Sequence, residues 1–209
     1  MKRLTPLLLA MVCSAVGAVN VGPLTKTYTN NEKTGSITIQ NTSNTAETYQ
    51  ITVCQMVVTN GERSCTPTSN VVFAPSVVTI GAGKTQTGRF VKRTQSPQEE
   101  VYLVRVQQLK DPNSTGFQQL KAMAFPWMWR SLDAKPVLQA RWDKDELVVT
   151  NTGNATAQLT GLQVGDFTKQ GLLGSVMPQE VHRFPLKDAP RGQAVRVNVN
   201  GQPVELSTR

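Results

Sequence analysis

The sequence predicts an all-β protein built from two antiparallel sandwiches, and three observations carry that prediction. Short runs rich in β-branched residues recur along the chain with alternating apolar and polar side chains, the period-two pattern of half-buried strands. Clusters of Asn, Gly, Pro and Ser separate those runs and supply turn chemistry. Helical periodicity is nearly absent, which favours a sandwich over an α/β fold.

The chain opens with Met1-Lys2-Arg3, continues through residues 4–17 that are nearly all apolar or small, and reaches Ala18. A basic start, a short apolar run and small residues before a polar segment describe a secretory signal peptide. A membrane anchor needs about 18 or more apolar residues, so export is the expected outcome. Cleavage is expected after Ala18, with Ala15 as the second choice. Val12 stands where a lipoprotein signal places a small residue, so Cys13 is not expected to be lipidated.

In the mature chain, Ser36-Ile37-Thr38-Ile39-Gln40 and Tyr49-Gln50-Ile51-Thr52-Val53 alternate as strands, separated by the turn-rich Asn41-Thr42-Ser43-Asn44. Val71-Val72-Phe73, Val77-Val78-Thr79-Ile80 and Gly88-Arg89-Phe90-Val91 follow, with Gly81-Ala82-Gly83 read as a hairpin turn. Residues 101–106 form the strongest strand signal. A second set of strands is expected at 137–141, 146–150, 157–164, 181–184 and 194–199. Asn200-Gly201 then turns tightly into Val204-Glu205-Leu206. Residues 1–18 are therefore read as the leader, 19–131 as a first sandwich, 132–135 as a hinge and 136–209 as a smaller sandwich. Both are within the size range of independent domains.

Residues 117–130 are the least ordinary segment. Leu120, Ala122, Met123, Ala124, Phe125, Trp127, Met128 and Trp129 make a long apolar strand candidate with both Trp on one parity. One parity can be buried in the first sandwich. The other needs a cover, either the second sandwich or a partner, because an exposed apolar edge strand invites pairing.

The composition excludes several functions. Lys plus Arg number 22 against 14 Asp plus Glu, a net charge of +8 that loses two with the leader. These charges are scattered rather than clustered with stacking aromatics, so nucleic acid is not an expected partner. No later segment is apolar enough for membrane insertion. Of the 3 Cys, Cys54 and Cys65 remain after export, an even pair that reads as a structural disulfide around Asn60-Gly61. The single His, His182, reads as a strand surface residue. No G-x-S-x-G elbow, zinc-ligand spacing or full phosphate loop occurs, so neither catalysis nor a metal or other cofactor is expected.

Asn70-Val71-Val72-Phe73-Ala74-Pro75-Ser76-Val77-Val78-Thr79-Ile80-Gly81-Ala82-Gly83, followed by Arg89 and Glu99-Glu100-Val101-Tyr102, resembles the signature of periplasmic pilus-assembly chaperones. Gly22-Pro23-Leu24-Thr25-Lys26, Trp129-Arg130-Ser131-Leu132 and Asn151-Thr152-Gly153-Asn154 look most like the alternate, colonisation-factor branch of the chaperone–usher family. The resemblance is good over residues 19–131 and weaker after Asn154.

It implies two immunoglobulin-like domains set at an angle, a periplasmic location, and partners in pilin subunits and an outer-membrane usher. Such chaperones lend an exposed strand to a pilin that lacks its last one, a mode of strand addition. The donated side chains would be Leu120, Ala122 and Ala124. Basic residues in the cleft grip the pilin's C-terminal carboxylate. Lys26 matches the first-strand basic position, but Pro126 stands where the second anchor is usually Lys. Arg130 either takes over that role or is structural. Arg89 and Glu99 match a pair that forms a salt bridge near the interdomain face in relatives. Self-association of the unloaded chain is left open.

Two further readings compete. A structural fimbrial subunit or adhesin would share the sandwich architecture, but residues 19–24 are a poor donor extension, being short and broken by Gly22-Pro23. An exported enzyme is disfavoured by the residue inventory above.

Overall fold

The structure, a computed structural model, describes residues 19–208. The expected leader and its cleavage site after Ala18 lie outside the described residues. In chain order the first half forms β1 (Val19–Gly22), β2 (Lys26–Thr29), β3 (Thr34–Asn41), β4 (Glu47–Thr59), β5 (Glu62–Pro67), β6 (Val71–Ala74), β7 (Val77–Ile80), β8 (Thr85–Lys92), β9 (Glu100–Gln108) and β10 (Ala122–Arg130). One sheet has the order β1-β3-β8-β6; the other is β2-β10-β9-β4-β5, with β7 also on β4.

Period-two alternation sends one parity of each strand into the space between these sheets. Ile37, Ile39, Phe73 and Phe90 meet Tyr28, Tyr49, Ile51, Val104, Phe125, Trp127 and Trp129 in one core. Tyr28 stacks on Trp129 with centroids 4.5 Å apart. A buried indole N–H needs an acceptor; Trp127 donates to Pro23 O at 3.1 Å and Trp129 to Glu32 O at 2.8 Å. The buried Lys92 is matched by Glu100 at 2.5 Å, and Tyr102 donates to the same carboxylate at 2.8 Å.

The second half forms β11 (Leu138–Asp143), β12 (Glu146–Asn151), β13 (Ala157–Val164), β14 (Phe167–Val176), β15 (Val181–Pro185), β16 (Val195–Val199) and β17 (Gln202–Leu206). Its sheets, β11-β12-β15 and β14-β13-β16-β17, enclose a separate core around Leu147, Val149, Leu159, Val164, Val195 and Val197. The chain is thus all-β with two sandwich cores.

Both halves use a buried Asn at the end of a strand as a turn anchor. Asn41 donates to Thr45 O and Ile80 O at 2.7 and 2.9 Å, while Ser43 N donates back to Asn41 Oδ1 at 3.0 Å. Asn151 does the same with Ala155 O, Val176 O and Gly153 N, at 2.7, 2.9 and 3.0 Å. In the second turn the incoming chain is clamped too: Lys135 N donates to Asn154 Oδ1 at 2.8 Å and Val137 N to Asn151 Oδ1 at 3.2 Å. That passage explains Gly153, whose added Cβ would lie 2.4 Å from Lys135 O.

Two expectations are corrected here. Gly81-Ala82-Gly83 is a turn but not a hairpin, because β7 pairs with β4 in one sheet and β8 belongs to the other. The strand expected over residues 117–130 begins only at Ala122; Phe117 is 97 % exposed in the preceding loop. Strands β1 and β14 were not anticipated, and β2 and β5 were signalled only by the first-strand position of Lys26 and the Asn60-Gly61 turn.

Candidate functional site

Strand β10 joins the first core, the space between the sandwiches and the open surface. On one side it pairs along its length with β9, from Ala122↔Gln107 to Trp129↔Glu100. On the other, β2 covers it in parallel only from Trp127↔Lys26 to Arg130↔Thr29. Among the described residues, 122–126 therefore have a sheet partner on one side only. Pro126, which has no N–H to donate, stands where the cover by β2 stops, a position proline tolerates.

Phe125, Trp127 and Trp129 are buried while Ala122, Ala124 and Pro126 are exposed on the opposite face. Leu120 is 47 % exposed in the loop before the strand rather than within it. The same exposed face runs on through Met128 and Arg130 into a cavity of about 540 Å³ between the sandwiches. Thr27, Leu103, Met128 and Arg130 line it from the first sandwich, Leu172 and Met177 from the second.

The cleft is bridged at two points. Thr156 donates to Glu99 Oε1 from its backbone N at 2.8 Å and also from its hydroxyl. The Glu99 side chain is fully buried, and its other oxygen, Oε2, has Arg130 Nη1 at 3.4 Å but accepts no hydrogen bond from a described residue. Burial pushes the Glu99 carboxyl above its ordinary value, outweighing the Thr156 bonds and the Arg130 charge that pull it down. At the second bridge, the β4–β5 hairpin reaches the second sandwich. Gly61 O accepts from Val181 N at 2.9 Å, and Arg63 Nη2 donates to Ser175 O at 2.7 Å and Glu180 Oε2 at 2.5 Å. The Cys54–Cys65 disulfide staples this hairpin with its Cα atoms 5.5 Å apart.

Several expected site residues fall elsewhere. Arg130 lines the cleft and donates to Thr27 Oγ1 at 3.4 Å. Lys26 does not line it. Alternation along β2 turns Thr25 and Thr27 toward the cavity and Lys26 toward the side of Tyr28, with Nζ 4.8 Å from that ring's centroid. The expected Arg89–Glu99 pair is corrected: Arg89 is exposed on β8, opposite Ser36 and Ala74, in the sheet that does not contain β9. Glu99 faces Arg130 and Thr156 instead. Arg63 and Thr156 were missed, because their importance arises only from contact between segments distant in sequence. The sole sequence signal for Arg63 was its place in a Cys-flanked, Asn60-Gly61-turned hairpin.

Residues 18–126 match the family described as "Pili and flagellar-assembly chaperone, PapD N-terminal domain". No curated protein sequence matches the chain. Among solved structures, the CsuC–CsuE chaperone–tip adhesion subunit pre-assembly complex from archaic Csu pili of Acinetobacter baumannii matches with a TM-score of 0.76. It is 21% identical and covers 92% of this chain and 99% of that one. The class 5 fimbriae chaperone CfaA matches with a TM-score of 0.66 at 16% identity, covering 92% and 99%. The Salmonella enterica SafA pilin–SafB chaperone complex also gives 0.66 at 16%, covering 91% and 93%.

Proposed function

The chain belongs to the pilus-assembly chaperones of the chaperone–usher pathway, and from that premise we propose that it captures fimbrial subunits in the periplasm by lending them β10. The observation that carries this reading is the half-covered edge of residues 122–126, whose exposed face continues into the cleft. A subunit lacking its own last strand gains main-chain hydrogen bonds from that edge. Leu120, Ala122 and Ala124 fill its groove with alternate side chains, and apolar burial at about 25 cal/mol per Å² supplies affinity before ordering costs.

In this reading Arg130 receives the subunit's C-terminal carboxylate through charge-assisted hydrogen bonds. Lys26 is left with a peripheral role, because its side chain leaves β2 on the other face. Residues 19–131 act as the donor domain, 132–135 as the hinge, and the second sandwich as the far wall of the cleft. The loaded chaperone then delivers its subunit to an outer-membrane usher. The role is binding rather than catalysis, so no cofactor enters it.

Periplasmic co-expression with the subunits encoded beside this chain tests the proposal. A one-to-one complex by size measurement, with subunit degradation when the chain is omitted, is the expected result. Normal subunit accumulation without it, and its own appearance in the assembled fibre, would make it a structural subunit instead.

A further inference from the structure

A carboxylate entering a cleft loses its water, and that cost is offset only when several well-placed donors replace it. Pro126 offers none, and Lys26 faces away. Among the described residues that line the cavity, the cationic side chains are Arg63 and Arg130, and no carboxylate is among them. Their side chains are 29% and 22% exposed, so both are reachable.

Each guanidinium is backed by a buried carboxylate, Glu180 for Arg63 and Glu99 for Arg130, whose side chains are 5% and 0% exposed. The cleft thus holds two compensated charges rather than two bare ones. The contacts of Arg63 with Ser175 and Glu180 both use Nη2; its Nη1 and Nε donate to no described residue. Planar guanidinium donors suit a carboxylate's two oxygens.

The position of Arg63 is built into the fold. Asn60 and Gly61 turn with φ of 54° and 82°, and the hairpin tip is held on the second sandwich by the Val181 N–H. The disulfide closes the hairpin two residues beyond Arg63, at Cys65.

We propose that Arg63 is a second carboxylate-binding residue of the cleft, which with Arg130 clamps the C-terminus of an extended peptide between the β4–β5 hairpin and the end of β10. The proposal rests on the chaperone reading above and supplies the donor that Pro126 lacks. It makes the clamp dependent on the stapled hairpin as well as on the donor strand.

The test uses the full mature chain and two synthetic peptides copying the C-terminal strand of the subunit encoded beside it. One ends in a free carboxylate, the other in an amide. The wild-type chain binds the free acid more tightly. Arg63→Gln reduces that preference roughly 10- to 100-fold, the scale of a lost hydrogen bond to a charged group, and weakens the amide peptide less than the acid. Arg63→Lys restores part of it, and Glu180→Gln, which removes the negative charge that compensates Arg63, increases it. If Arg63→Gln weakens both peptides equally, or leaves the acid preference intact, Arg63 is only a strut between the sandwiches and the inference is wrong. Capture of the intact subunit by a wild-type chain that shows no acid preference overturns this inference alone. Binding of neither peptide nor subunit overturns the chaperone reading with it.

Discussion

Ala124→Asp separates binding from folding at the centre of β10. Ala124 is exposed and lies opposite Arg105, itself exposed on β9, so the new carboxylate gains a cross-strand cation in the free protein. The change in folding stability is expected to stay within about 0.5 kcal/mol, the range of ordinary surface substitutions. Capture is different, because a subunit groove laid over this face strips water from the charge. That desolvation costs about 3–5 kcal/mol when the partner side is apolar, or roughly 100- to 4,000-fold in affinity. The assay pairs a urea titration of the purified variant with its recovery of co-expressed subunit. Met123→Asp is the control: Met123 packs against the first core, so its variant loses stability and capture together. A stable Ala124→Asp protein that captures subunit normally would refute the choice of the donated face.

Three other outcomes follow from the geometry. Glu99 has a folded-state pKa above its ordinary value, so its contribution to stability grows as pH falls through that raised value toward 4.5 and is lost as pH rises through it. Glu99→Gln should therefore be no less stable than wild type at neutral pH, with the difference shrinking in acid; urea midpoints showing wild type clearly ahead at neutral pH would reverse the sign. Gly153→Ala should cost about 1–3 kcal/mol, because its Cβ meets the backbone of residues 135–137 rather than a movable side chain. A thermal melt unchanged by it would mean that the linker yields freely. Replacing both Cys54 and Cys65 by Ser, across a separation of 11 residues, should cost roughly 3 kcal/mol by loop entropy and loosen the hairpin that carries Arg63. An equal urea midpoint with and without the disulfide would count against that role.

The fold was legible wherever one face of a strand is buried against the facing sheet of its own sandwich. Tyr49, Ile51, Phe90, Val104 and Val106 alternate in sequence and are buried in the structure. β5 was invisible as a strand because all its residues are exposed, which leaves no alternation to read. The pairing of β2 was not read because its role is to cover the end of β10, a parallel contact between segments about a hundred residues apart. The turn after Ile80 was recognised by composition, but whether such a turn closes a hairpin or crosses between sheets depends on the partner of the next strand.

The sequence by itself determined the class of fold, the Cys54–Cys65 pairing, the Asn-based turns, and the parity by which Phe125, Trp127 and Trp129 enter the core. These follow from local chemistry: side-chain period, φ preference, and a solitary pair of cysteines beyond the expected leader. Only the tertiary structure decided that β2 stops at Pro126, that Lys26 turns away while Arg63 enters the cleft, and that Glu99 joins Thr156 and Arg130 rather than Arg89. Those outcomes depend on how two sandwiches meet, and charges or edges brought together only by that meeting leave no periodic trace in the chain.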